Sequence, residues 1–271
     1  MKKRQSSFAV AGMTVVMTAL LTAGCGKKVT PENLLEDMRK NMEEAESVEC
    51  TMQLGLMLES GIFSRETLVD TEIELKDENA HMVSKTTVRS MDYSEEESET
   101  EYYVIRDGEG DRTYACIDGE WYMSDEAINT VDVVYSLQNL AELADSFEVA
   151  DSHAEVEGKA CVVLKGEISR EDFAEKVNGD VIDSLAEQGG EENALPEVKI
   201  PCTVTIYRES WLPASVYFDM SDVMQTAIDA SGDDIDVSDY YAEFTFRGFG
   251  GTDEILLPEA AAAAEGGDSY K

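Results

Sequence analysis

The sequence predicts an α+β fold, with one antiparallel sheet of about eleven strands and helices packed on its apolar face. The first observation is the stretch VECTMQLGLMLE at 48–59, where every even position is apolar. A period of two indicates a long strand with one apolar face. The second observation is a series of similar alternating stretches separated by short turns, which favours pairing between neighbours. The third is that helical periodicity occurs at only a few places along the chain.

The first half of the chain is predicted to form a helix followed by six strands. A Thr-Pro dipeptide begins the helix, and apolar residues at helical spacing extend it over 31–46. The strands follow as a meander between 48 and 123, with Asp118-Gly119 as a strong hairpin signal. The acidic stretch SEEESE at 94–99 is interpreted as a solvent-exposed hairpin tip.

The second half is predicted to alternate between helical segments and five further strands. The last strands again show apolar residues at every second position. A helical segment within this half is interrupted by Asn178-Gly179, and residues 259–271 are predicted to be a disordered tail. The expected ranges are 124–144 and 169–187 for helices, and 147–150, 159–167, 198–206, 214–220 and 240–247 for strands.

The composition is that of a folded but strongly acidic protein. The 271 residues are 43% hydrophobic, enough for a core, and carry a formal net charge of -37. Such a surface repels phosphates, so nucleic acid is excluded as a partner. It also repels an anionic bilayer, so any membrane association needs a dedicated anchor.

The first 25 residues indicate that anchor. A basic start precedes an apolar stretch that is short for a membrane span, and the sequence LTAGC follows. This layout resembles a bacterial lipoprotein signal peptide over 1–24, which implies cleavage before Cys25 and a lipid on its thiol. Residues 25–30 would then be a tether, and the body would lie on the extracytoplasmic face of the cell membrane. The alternative is an ordinary secretory signal with an incidental cysteine.

Several longer stretches, taken in order, resemble a known group of proteins. They are ENLLEDMRKNMEEAESVECTMQLGLMLE, GEWYMSD, TVTIYRESWLPASVYFDMSD and FTFRGFGGTDEILLPEAA. This order is similar to that of LolA-like lipoprotein carriers and LppX-type mycobacterial lipoproteins, over residues 31–258. The resemblance implies a sheet curled into an incomplete barrel, with helices over its concave side and a cavity for acyl chains between them.

The resemblance also implies which residues face the cavity. By position these are Met52, Leu54, Leu56, Val69, Ile73, Val204, Ile206, Phe218 and Phe244. Two features depart from the pattern. The carriers of Gram-negative periplasm are soluble, whereas this chain has a lipobox, and neither the segment 169–190 nor GDDIDVSD after Met224 has a counterpart.

No motif for catalysis or for a cofactor is present. The two histidines, His81 and His153, have no second ligand at metal-binding spacing, and GxSxG, HExxH, P-loop and SxxK are all missing. With 58 acidic residues, two neighbouring carboxylates do not indicate a glycosidase. The acidic stretch 229–239 lacks the EF-hand order and is interpreted as a solvated loop rather than a calcium site.

Four cysteines remain after the leader, and the sequence leaves their state open. An even number outside the cytoplasm permits two disulfides, but Cys50 and Cys202 fall on apolar faces, where a free thiol acts as a small hydrophobe. The four residues are Cys50, Cys116, Cys161 and Cys202.

The leading hypothesis is a non-enzymatic, membrane-anchored lipoprotein that binds a lipid or another apolar ligand. Its motivation is the long alternating strands with covering helices, together with the resemblance. The alternative is an envelope scaffold with a solid core that meets an unknown envelope protein through its acidic surface. The methionines on predicted inward faces fit both, because flexible thioethers suit a cavity and also fill gaps in a core.

Overall fold

The computed structural model describes residues 29–61, 63–77, 79–92, 94–107, 110–124, 129–188 and 197–264. The predicted signal peptide, Cys25 and most of the predicted tether lie outside the described residues, as do residues 265–271 of the predicted tail. None of the helices in the described part of the chain has the length and apolarity needed to cross a membrane.

Within these ranges, eleven strands form one antiparallel sheet, as predicted. The strands are β1 Ser47–Ser60, β2 Phe63–Lys76, β3 Asn79–Ser90, β4 Glu95–Asp107, β5 Gly110–Ile117, β6 Glu120–Ser124, β7 Phe147–Val156, β8 Lys159–Ser169, β9 Lys199–Tyr207, β10 Pro213–Asp219 and β11 Asp236–Phe249. Their order across the sheet is β6-β5-β4-β3-β2-β1-β11-β10-β9-β8-β7. The pairing of β1 with β11 joins the two strand sets, and the sheet stays open because its edges, β6 and β7, do not pair.

The described helices lie on the apolar face of this sheet or at its ends. They are α1 Pro31–Glu43, α2 Asn129–Ser136, a 3₁₀ helix Leu137–Ser146, α3 Arg170–Lys176, α4 Gly179–Gln188, α5 Ser221–Ser231 and α6 Glu259–Ala262. Helix α1 packs against the 3₁₀ helix, α3 against α4, and α5 against both β11 and α4. Together they cover the apolar side chains of β1 and β8–β11.

Strand pairing places the predicted inward residues in rows across one face. Met52 of β1 pairs with Phe244 of β11, and Leu54 pairs with Ala242. Ala242 pairs in turn with Phe218 of β10. Because side chains alternate along a strand, these residues share the helix-covered face, and Glu49 and the other odd residues of β1 lie on the opposite face.

The predicted hairpin tip at 94–99 is wrong, because β4 begins at Glu95. The acidic residues of this stretch face cations on β3: Arg89 Nε lies 2.7 Å from Glu95 Oε2, and Lys85 Nζ lies 2.8 Å from Glu97 Oε1. Opposite charges on neighbouring strands stabilise pairing. A charged stretch that looks like a loop in isolation therefore forms a strand once its partner strand is known.

The predicted acidic loop at 229–239 is shorter than expected, because α5 extends to Ser231 and β11 begins at Asp236. The sequence reading missed α5, which buries Val223, Met224 and Ala227. Within the described ranges, no three His, Cys, Asp or Glu side chains are grouped as metal ligands would be.

Other boundaries also differ from the sequence reading, and β7, for example, extends to Val156 rather than to residue 150. Helix α1 ends at Glu43 rather than at residue 46. Residues 259–262 of the predicted disordered tail form α6, whose Ala261 is fully buried. The connection from β11 to α6 is fixed to the start of β1, since the backbone N–H of Gly250 donates to the Ser47 carbonyl at 3.0 Å.

The four described cysteines are free thiols. Cys50, Cys161 and Cys202 are buried, and Cys116 is half-buried. Burial raises the pKa of Cys50 to about 12 and also raises that of Cys202, because a thiolate in an apolar environment loses its hydration. Both residues therefore behave as small hydrophobic side chains of the core.

Candidate functional site

An apolar cavity of about 400 Å³ lies between the sheet and the helices that cover it. Strands β1, β10 and β11 form its floor, and residues from α2, α3, α4 and α5 form its walls. The described lining residues are Met52, Leu54, Thr130, Val133, Phe173, Val177, Asn178, Asp180, Val181, Ser184, Leu185, Phe218, Met220, Met224, Tyr240, Ala242 and Phe244. This volume lies in the range of sites that bind small apolar molecules.

Two aromatic side chains form the buried part of the cavity floor. Phe218 and Phe244 are almost completely buried. The ring of Phe218 meets that of Phe173 on α3 edge to face, with centroids 5.2 Å apart and planes at 84°. Such a pair stabilises the position of both rings beyond the burial of their area. Met52 and Leu54, by contrast, are only half-buried, so their side chains retain surface that a ligand could cover.

One wall depends on hydrogen bonds that hold the junction between α3 and α4. The Ser136 hydroxyl lies 2.6 Å from the carbonyl oxygen of Val177. The amide of Asn139 donates to the carbonyl oxygen of Lys176 at 3.0 Å. These bonds satisfy carbonyl groups at the end of α3 that have no partner within the helix. They fix the α3–α4 corner against α2 and the 3₁₀ helix.

The opening of the cavity is formed by α4, which presents two rows of side chains to it. Val181 and Leu185, four residues apart, form the inner row, and Leu185 is buried. Asp180 and Ser184, also four residues apart, form the outer row and are exposed to solvent while they line the cavity. The cavity therefore has an apolar interior and a polar mouth.

Flexible side chains make up part of the lining. Met52 of β1, Met220 at the N-cap of α5 and Met224 within α5 meet at the same cavity. Methionine has three rotatable bonds and a polarisable sulfur, so it adapts to apolar groups of varied shape.

The fold is similar to that of a solved structure. The crystal structure of LprF from Mycobacterium bovis matches over 84% of this chain and 96% of its own, with 14% sequence identity and a TM-score of 0.51. The chain shares the fold of LprF. The LolA-like and LppX-type fold implied by the resemblance is thereby confirmed. At 14% identity, the likeness to LprF shows the fold alone.

A second solved structure covers a similar share of the chain but is much less similar to it. A DUF1329 family protein from Desulfovibrio piger matches over 81% of this chain and 92% of its own, but its identity is 9% and its TM-score is 0.23. No protein-family model matches the sequence, and no curated protein matches it.

In this LprF-like fold, the nine residues assigned to the cavity from the sequence divide into two groups. Met52, Leu54, Phe218 and Phe244 line the cavity. The other five do not: Ile73, Val204 and Ile206 are buried in the solid core, Leu56 packs at its edge, and Val69 is half-buried opposite Leu54.

The residues that sequence reasoning missed come mainly from helices. Val133, Phe173, Val181 and Leu185 each line the cavity. Their helical spacing was the available signal, since an apolar stripe on a short helix must face either the core or a cavity. The spacing alone does not distinguish these two outcomes.

A second concavity, of about 420 Å³, lies on the opposite face of the sheet and is polar. Here His81 contacts two carboxylates, with Nε2 2.9 Å from Glu101 Oε1 and Nδ1 3.3 Å from Glu74 Oε2, and stacks on Tyr103 at 4.5 Å. Burial, with help from the same carboxylates, raises the pKa of Tyr103 to about 12. His81 thus has structural partners, and His153 is exposed.

Proposed function

We propose that this protein is a membrane-anchored extracytoplasmic lipoprotein that binds a lipid or another apolar ligand without catalysing a reaction. The observation that carries this proposal is the cavity, whose floor and inner walls are apolar and whose mouth is polar. That arrangement suits a molecule with one apolar end and one polar end. The resemblance to LolA-like and LppX-type proteins supports the same function, and no cofactor is required for it.

The anchor in this proposal is Cys25, which follows the predicted signal peptide 1–24 and precedes a short tether to the body at 31–258. A lipid chain on Cys25 would insert into the membrane, and the short tether would hold the acidic body close to it despite the negative charge of the body. The anchor is a lipid covalently attached to Cys25, whereas the ligand in the cavity is a separate molecule. Each part of the proposal can therefore fail without the other.

The anchor can be tested by replacing Cys25 with serine in the full chain, expressed in its own host. The wild-type protein is expected to fractionate with membranes and to show an acylated N-terminal Cys25 by mass spectrometry. Cys25→Ser is expected to leave the membrane fraction, since serine cannot form the thioether. Wild-type protein found only in the soluble fraction would contradict the anchor and support the ordinary secretory signal.

The cavity can be tested by filling it from α4. Val181→Trp places an indole on the inner row of the mouth, where it would occupy space needed by a ligand. Binding of the uncharged apolar dye N-phenyl-1-naphthylamine is expected to weaken at least ~10-fold, which corresponds to about 1.4 kcal/mol. The measurement is dye fluorescence during titration, with circular dichroism to confirm that the variant is folded.

The matched control is Asp183→Trp, which places the same residue on the same helix at an exposed position that does not line the cavity. Its dye affinity should equal that of the wild type. If the wild type itself shows no saturable dye binding, and protein purified from its own membrane yields no lipid on solvent extraction, the scaffold hypothesis replaces this proposal.

A further inference from the structure

The polar mouth of the cavity carries a negatively charged side chain. Among the described lining residues, the charged side chain is Asp180, and the uncharged polar side chains are those of Thr130, Asn178, Ser184 and Tyr240. No lysine or arginine is among these described residues. These described residues thus offer a ligand hydroxyl, amide and carboxylate groups but no cation that could pair with its anionic group.

The nearest cation along the chain is already paired with carboxylates. Lys176, at the end of α3, has its Nζ 2.8 Å from Glu142 Oε2 and 2.9 Å from Glu175 Oε1. A ligand carboxylate or phosphate at the mouth would have to compete with both partners. It would also enter the field of a chain with a formal net charge of -37.

The N-terminus of α4 also lies at the mouth, and helix N-termini attract anions. Here that end is occupied by the chain itself. The backbone N–H of Val181 donates to Oδ1 of Asn178 at 3.3 Å, and Asp180 supplies a carboxylate in the first turn. The partial positive charge of the helix end is therefore offset from within, and it does not make the mouth suitable for an anion.

We propose that the ligand's polar end donates hydrogen bonds and carries no negative charge, and that Asp180 is the residue that disfavours anionic amphiphiles. This inference rests on the proposed function of the cavity and specifies its substrate class. A hydroxyl or ammonium group would donate to the Asp180 carboxylate, and a hydroxyl could also accept from Ser184 or Thr130. An acyl chain attached to either group would enter the apolar interior.

The test uses three probes with the same twelve-carbon chain, namely dodecanol, dodecylamine and dodecanoate, each displacing N-phenyl-1-naphthylamine from the full chain at neutral pH and low salt. For the wild type, dodecanol and dodecylamine are expected to bind at least ~5-fold more tightly than dodecanoate. Raising the salt concentration should reduce the difference between dodecylamine and dodecanoate, because exposed charges are screened.

Asp180→Asn keeps the shape of the mouth and removes its charge. It is expected to strengthen dodecanoate binding and weaken dodecylamine binding, and to weaken dodecanol binding less than dodecylamine binding, because the amide oxygen of asparagine still accepts a hydrogen bond. The matched control is Asp183→Asn, which removes one charge from the exposed face of the same helix. Its changes should be smaller than those of Asp180→Asn for both charged probes, because its side chain lies away from the mouth.

The outcomes separate this inference from the function on which it rests. The inference is overturned if dodecanoate binds the wild type as tightly as dodecanol does. It is also overturned if Asp180→Asn changes the affinities for dodecanoate and dodecylamine no more than Asp183→Asn does. In both cases the cavity remains a binding site. If the dye binds but none of the three probes displaces it, the inference alone is overturned. If the wild type binds neither the dye nor any probe, and protein from its own membrane yields no lipid, the proposed function itself is contradicted and the inference falls with it.

Discussion

Replacing Gly166 with alanine is expected to lower the free energy of unfolding by about 3 kcal/mol. A Cβ at this position in β8 would lie 2.5 Å from the carbonyl oxygen of Ser146 and 2.8 Å from Cδ1 of Phe147. The first of these atoms belongs to the backbone, so a side-chain rotation cannot relieve the contact. The end of the 3₁₀ helix and the beginning of β7 would have to move instead.

That movement would reach the core from the edge of the sheet. Gly166 pairs with Phe147 on β7 and with Cys202 on β9, and both of these side chains are buried. Displacing Phe147 therefore loosens the packing between the edge strand and the 3₁₀ helix, where native packing leaves little free space. The measurement is urea unfolding followed by circular dichroism, compared with the wild type at the same temperature.

The matched control is Gly248→Ala in β11. Gly248 is also a strand glycine, but a Cβ there would have its nearest neighbour 3.5 Å away on the Glu49 side chain, an ordinary contact. Its free energy of unfolding should stay within about 0.5 kcal/mol of the wild-type value. Equal stability of the two alanine variants would show that the region around Ser146 is not packed as described.

The strands could be predicted from the sequence because their signals are local. Alternation with a period of two fixes which residues share a face, and dipeptides ending in glycine fix where a hairpin turns. Asp118 and Gly119 have φ values of 51° and 82°, and Glu157 and Gly158 have 51° and 79°. The sequence predicts the first of these turns from its Asp-Gly dipeptide, since glycine adopts a positive φ without steric cost, and the second pair has the same backbone geometry.

The elements that sequence reasoning missed depend on contacts between distant parts of the chain. Glu95 and Glu97 belong to a strand because Arg89 and Lys85 stand on the neighbouring one. Helix α5 is short, and the burial of its apolar residues becomes evident only once β11 and α4 are seen to pack against them. The sequence shows which residues are charged and which recur at helical spacing. The residues that they contact are determined by the tertiary structure.

The same limit explains why only part of the candidate site could be predicted. Alternation correctly assigns Ile206 and Met52 to the helix-covered face of the sheet, but it does not reveal how deeply a helix packs over each one. Ile206 is fully buried, whereas Met52 is half-buried and lines the cavity. Membership of the cavity is decided by the gaps between helices, which no strand pattern encodes.

This distinction predicts opposite results for two substitutions on the same face. Ile206→Ala is expected to lower the free energy of unfolding by about 3 kcal/mol, because it leaves a void in the solid core. At a temperature where the variant remains folded, its affinity for N-phenyl-1-naphthylamine should equal that of the wild type. Urea unfolding and dye titration of the same preparation measure the two quantities.

Met52→Ala should show the reverse pattern. Its side chain is half-buried, so the stability loss is expected to be about 1 kcal/mol, while the dye loses a direct contact with the cavity floor and binds more weakly. Weaker dye binding by folded Ile206→Ala would mean that the cavity extends under β9. Unchanged binding by Met52→Ala would show that the dye does not contact Met52, and would contradict the assignment of this part of the cavity floor to the binding site.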